Sequence, residues 1–85
     1  MAYKIEFKPA ALRRLEELPR EAQKHIAAKI EALRDNPFPA GCKKLRGEAN
    51  LWRLRAGDYR VIYQIHSHVL TILIINIGHR REIYR

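Results

Sequence analysis

The stretch LWRLRAGDYRVIYQIHSHVLTILIINIGHRREIYR, residues 51–85, decides the fold. In Leu51–Arg55, Trp52 and Leu54 point one way and Leu51, Arg53 and Arg55 the other, the two-residue period of a half-buried strand. Ala56-Gly57-Asp58 makes a tight turn. Tyr59–Ile65 alternates again, with Tyr59, Val61, Tyr63 and Ile65 on one side and Arg60, Ile62 and Gln64 on the other. His66-Ser67-His68 turns the chain back. Val69–Ile77 is almost wholly apolar, which is expected of a strand buried on both faces. Gly78 is expected to end that strand, leaving His79–Arg85 as a polar tail.

Upstream, Ala2–Phe7 alternates too, with Tyr3, Ile5 and Phe7 on one face. Pro9 suits a first helical position, where its missing N–H costs nothing. A helix is predicted over Pro9–Leu18, with Leu12, Leu15 and Leu18 inward; Pro19 breaks it. A second is predicted over Arg20–Asp35, with Ala22, Ile26, Ile30 and Leu33 as its apolar stripe. Residues 36–50 hold Pro37, Pro39, Gly41 and Gly47 and read as a loop, extended at most around Lys43–Arg46. The expected fold is α+β, in the order β-α-α-β-β-β: an antiparallel sheet with the N-terminal strand added and a helical hairpin on one face. At 85 residues one small domain, 1–85, is expected.

The formal net charge is +8, which points to an acidic partner. It is unevenly spread. Residues 1–41 carry 8 basic and 6 acidic side chains, a net of +2; residues 42–85 carry 9 and 3, a net of +6. The excess lies where the strands lie, and Arg53, Arg55 and Arg60 fall on the face the helices leave open. The single cysteine, Cys42, has no second cysteine to pair with, which fits a reducing compartment. No leader segment is visible, and the longest apolar run, Val69–Ile75, is far too short to span a bilayer. No glycine-rich phosphate loop, metal-ligand set or serine elbow is present, so no cofactor and no metal are expected. His66 and His68, on alternate faces of a hairpin tip, make a poor chelating pair.

What remains is arginine with tyrosine. Cleavage of RNA by its own 2′-OH needs a base, cations for the charge on the phosphoryl oxygens, and an acid for the leaving 5′-oxygen. Arginine suits the second task, because its planar fork matches phosphate and stays protonated. Tyrosine can serve as base where neighbouring cations lower its pKa. Tyr84 stands between Arg80, Arg81 and Arg85. By composition alone, a solvated terminus and a solvated sheet face fit these residues equally well. Trp52 and Tyr63 read as core rather than as base-stacking platforms.

KLRG at Lys44–Gly47, WRLRAGDYRVIYQI at Trp52–Ile65 and GHRREIYR at Gly78–Arg85 are the carriers of a resemblance that spans nearly the whole chain. The chain resembles RelE-family toxins of bacterial and archaeal toxin–antitoxin pairs, within the RelE/ParE superfamily. The resemblance implies the small RelE-like fold and a ribosome-dependent, metal-independent endoribonuclease that cuts mRNA in the A site by 2′-OH attack. It implies that Arg60 stabilises the phosphate, that Arg80 serves near the leaving group and that Tyr84 acts as base or stacking partner. Where the family often has two lysines spaced by one residue, this chain has Leu51 and Arg53, so Arg53 keeps the charge and Leu51 loses it; Arg55 is a candidate replacement. Lys43, Lys44, Arg46, Arg55, Arg81 and Arg85 are the expected RNA-binding set, and His79 is a candidate acid or base. Also implied are a cognate antitoxin in a hetero-oligomer, the ribosome and mRNA as partners, a cytoplasmic location and no membrane. The alternatives are a ParE-like, non-enzymatic inhibitor of DNA gyrase and an RNA-binding module that does not cut.

Overall fold

The computed structural model describes residues 2–47 and 49–79. Its strands are β1 (Lys4–Phe7), β2 (Lys43–Lys44), β3 (Leu51–Ala56), β4 (Tyr59–His66) and β5 (Thr71–His79); its helices are α1 (Pro9–Glu16) and α2 (Arg20–Ala32). They form one sheet in the order β1-β5-β4-β3-β2. The α+β class and the helical pair are as expected. The sheet is mixed rather than wholly antiparallel, because β1 runs parallel to β5, and Lys43–Lys44 supplies a fifth, edge strand against β3.

β4 lies at the centre because both its faces and both its edges are used. Val61, Tyr63 and Ile65 are at most 3% exposed and look toward the helices. Its hairpin with β3 closes at Ala56 and Tyr59. Gly57 has φ +61 while Asp58 stays out of the left-handed region, the pattern of a type II′ turn, which matches strand twist.

The apolar run of β5 is not buried on both faces. Its pairing with β4 shifts from Ile62–Asn76 to Tyr63–Ile74, so Ile75 is an extra residue, a β-bulge. The bulge changes the phase of the alternation. Ile72 and Ile74 before it and Ile77 after it all reach the core at 0% exposure, while Leu73 and Ile75 are only half-buried and Asn76 is exposed. A phase change inside a strand makes its sequence look uniformly apolar. Nor does Gly78 end the strand: it is buried and pairs with Arg60.

α1 packs on β5 and β1, and α2 on β3. In α1 the inward residue is Ala11, with Leu15 and Leu18 half-buried beside the core. Leu12 is 41% exposed, contrary to expectation. The i, i+4, i+7 stripe from Ala11 takes the core position, and Leu12 lies about 100° round the helix from it. α2 buries Ile26 and Ile30, and Leu33 follows at its C-terminal cap. Gln23 joins the two helices: its Nε2 donates to Leu18 O (2.8 Å) and Glu16 O (3.1 Å), satisfying carbonyls freed at the end of α1.

The loop between α2 and β2 is anchored on the sheet. The Tyr63 hydroxyl donates to Pro37 O at 2.8 Å, and Phe38 meets Trp52 edge-on at 4.9 Å between ring centroids. Burial, with Cys42 beside the hydroxyl, pushes the Tyr63 phenol well above its ordinary range. The folded state therefore keeps this proton after the unfolded chain has lost its own near pH ~10. Its contribution to stability is present below about pH 10 and is lost as pH rises beyond it.

Leu33→Ala should cost about 2–5 kcal/mol in urea unfolding, whereas Leu12→Ala should stay within about 0.5 kcal/mol. Tyr63→Phe should lose about 1 kcal/mol at neutral pH and show a shallower alkaline decline than the parent in melts above about pH 10.

Candidate nucleic-acid interface

Strand alternation separates the apolar side chains from the cations. In β3, Leu54 and Ala56 reach the core, so Arg53 and Arg55 fall on the face away from the helices. In β4, Val61 and Tyr63 do the same for Arg60. Register then assembles the cations across strands. Lys43 lies opposite Arg53, which lies opposite Ile62, which lies opposite Asn76. Next along the sheet, Arg55 lies opposite Arg60, which lies opposite Gly78. Residues two apart on a strand are about 7 Å apart, so the two rows are neighbours. Neither row contains a carboxylate.

Arg55 is exposed, Arg53 half-buried and Arg60 only 6% exposed. Gly78 adds no side chain to this face, so the side chains of the second row itself are two guanidinium groups. Lys43, Arg53 and Arg55, with Ala40 and Gly41, line a hollow of about 400 Å³. Gly41 takes φ +88, a conformation that glycine adopts without strain, and this carries the loop over the rim. Like charges opposite one another in a sheet cost a few tenths to about 1 kcal/mol per pair. Lys43–Arg53 and Arg55–Arg60 are two such pairs. The chemistry on offer is recognition of a phosphate chain and stabilisation of charge growing on a phosphoryl group.

The expected site residues divide. Lys43, Arg53, Arg55 and Arg60 are brought together. Lys44 pairs with Trp52 and so points to the other face; with Arg46 it lines a separate hollow of about 430 Å³. His79 is likewise not brought to Arg60. It pairs with Tyr59, on the alternate face, and the two rings meet edge-on at 5.8 Å. Arg80, Arg81, Tyr84 and Arg85 lie outside the described residues. Leu51, where a lysine would strengthen the rows, is half-buried opposite Gln64. The Ala40–Gly41 wall was missed by sequence reasoning, and Pro39-Ala40-Gly41 was its only signal. Asn76 was missed because the bulge that exposes it is invisible in an apolar run.

Residues 5–84 match the family model described as ParE toxin of type II toxin-antitoxin system, parDE. The chain belongs to this toxin family. Within the wider RelE/ParE superfamily its relatives carry RelE-type names. Toxin RelG of Mycobacterium tuberculosis is 36% identical over 90 residues, covering 100% of this chain and 99% of that one. The mRNA interferase toxin RelE of Escherichia coli K12 is 27% identical, over 99% and 92% of the two chains. Among solved structures, the archaeal RelE–RelB complex from Pyrococcus horikoshii matches with TM-score 0.83 at 28% identity, over 94% of this toxin and 97% of that chain. The isolated E. coli RelE toxin matches with TM-score 0.80 at 25% identity, over 92% and 84%. The protein is thus a RelE-like toxin of a toxin–antitoxin system.

Proposed function

We propose that this toxin is a metal-independent endoribonuclease that cuts mRNA in the ribosomal A site. The observation that carries the reading is the pair of cation rows, Lys43–Arg53 and Arg55–Arg60, set beside a hollow on the helix-free face. Kinship with a protein named as an mRNA interferase supports it.

In the reaction a base removes the 2′-OH proton and the freed oxygen attacks the adjacent phosphorus. A 2′,3′-cyclic phosphate forms as the bond to the 5′-oxygen breaks, and an acid protonates that oxygen. Arg60 is the group for the charge on the phosphoryl oxygens. It is nearly buried, so it acts in a medium less polar than water, where a fixed cation is worth more. Arg53, Arg55 and Lys43 hold the flanking phosphates. Arg80, near the leaving group, and Tyr84, as base or stacking partner, come to the reading from the family resemblance. Tyr63 is unsuited to the base role, since its hydroxyl is committed to Pro37 and its proton is held tightly. The RelE–RelB complexes among the matched structures support a cognate antitoxin as partner, in a hetero-oligomer that covers the cation face in the cytoplasm.

A second reading rests on the family match itself, whose description is that of a ParE toxin. In that case the protein inhibits DNA gyrase and cuts nothing.

Primer extension on programmed ribosomes separates the two. An ordinary message should be cut in the A site, and a message with a 2′-deoxy nucleotide at that position should survive. Arg60→Ala should slow cutting about 10²–10³-fold with the fold intact, and Arg80→Ala and Tyr84→Phe should also slow it. A folded, toxic protein that cuts neither message belongs to the gyrase reading.

A further inference from the structure

Asn76 has no part in the cation rows' electrostatics, yet the fold delivers it to the end of one of them. It is the one polar side chain between Ile72 and Ile77. Asparagine is disfavoured in strands, and its place inside an apolar run has no packing reason, since it is exposed. The bulge at Ile75, immediately before it, sets the phase that turns it to the cation face. Without that shift the inward series Ile72, Ile74 would continue at residue 76 and the amide would point at the core. Bulges commonly re-aim a side chain beside a functional site.

The surroundings suit a ligand contact. Asn76 shares a row with Lys43, Arg53 and Ile62. Arg60 lies diagonally across from it, at about 7–8 Å between Cα atoms for such neighbours. Gly78, two residues on, contributes no side chain of its own. No hydrogen bond within the described residues uses the Asn76 amide. Its donor and acceptor are both available, and Ile62 beside it offers a half-buried apolar surface.

Phosphate contacts position a nucleic-acid chain, and contacts to base edges specify its sequence. On this sheet the cations can do the first, and the Asn76 amide is suited to the second; the other amide of this face, Gln64, has its Oε1 in a hydrogen bond with His66 Nε2 at 2.9 Å. We infer that Asn76 reads a base edge of the RNA strand whose phosphates lie along Lys43, Arg53, Arg55 and Arg60, and that the base is adenine. A side-chain amide matches adenine's adjacent donor and acceptor with two hydrogen bonds, and single-stranded RNA exposes that edge. Asn76 is here a specificity residue; it moves no proton. The inference rests on the ribonuclease reading above and names a feature of its substrate.

The test uses the full-length toxin on ribosomes programmed with messages that differ only in the bases flanking the cut. The parent should favour adenine at one position by about tenfold, and Asn76→Ala should reduce that preference to about twofold or less while still cutting. Asn76→Asp, which can only accept, should move the preference toward cytosine, whose amino group donates. A purely structural asparagine would change the overall rate and leave the base preference alone. If Asn76→Ala cuts with the parent's preference, or the parent has none, the inference is overturned and the ribonuclease reading stands. If the parent cuts no message at all, the ribonuclease reading itself falls, and this inference with it.

Discussion

The structure depends on the register of β4. Val61, Tyr63 and Ile65 must face the helices, because together with Ile26, Ile30, Leu33, Ile72, Ile74 and Ile77 they make up most of the core. A slip of one residue would turn that whole set to the open face. The same constraint places Arg60 opposite the core, with Arg55 and Gly78 as its neighbours. Apolar packing thus specifies where the cations stand. Arginines of the same face, left to themselves, would repel one another apart.

Two aromatic contacts extend this order beyond the central strands. Tyr63 holds Pro37 by a hydrogen bond, and Trp52 holds Phe38 ring to ring. Both anchors sit on core-side positions of β3 and β4. The loop they pin then passes Gly41 and returns as β2, which sets Lys43 against Arg53. The rim of the hollow is therefore built from the far side of the sheet. A loop of this length without such anchors would sample many positions, and ordering it would cost about 1–2 kcal/mol per residue.

Much of this was legible in the sequence, for physical reasons. Alternation in LWRLRA and YRVIYQIH shows which residues share a face, so the grouping of Arg53, Arg55 and Arg60 could be read directly. Pro9, Pro19 and the apolar spacing of Ile26, Ile30 and Leu33 mark the helices. Other features depend on information no local pattern holds. The direction of β1 is a matter of topology. Ala11 and Leu12 lie about 100° apart on α1, and which of their stripes meets the core is settled by how the helix docks on the sheet. The bulge at Ile75 changes phase within a run of isoleucines and leucines, where no polar beat reports the phase. That one hidden shift accounts for the misread burial of β5 and for the oversight of Asn76. It also bears on His79, whose face follows from the pairing of its strand.

Under the proposed reading the cation face also links the toxin's partners to one another. Any chain that binds the folded toxin on this face stabilises the fold by mass action. Under the proposed reading two such chains exist, the antitoxin and the RNA, and both need the face that carries Arg53, Arg55 and Arg60. Coupling between ligands is reciprocal: whatever one loses in affinity from the presence of the other, the second loses equally. Two chains that require the same guanidinium groups cannot both be held, so the coupling is strongly negative. Inhibition then needs no conformational switch. Under that reading it follows from placing the proposed substrate-holding charges on one face, where either chain excludes the other.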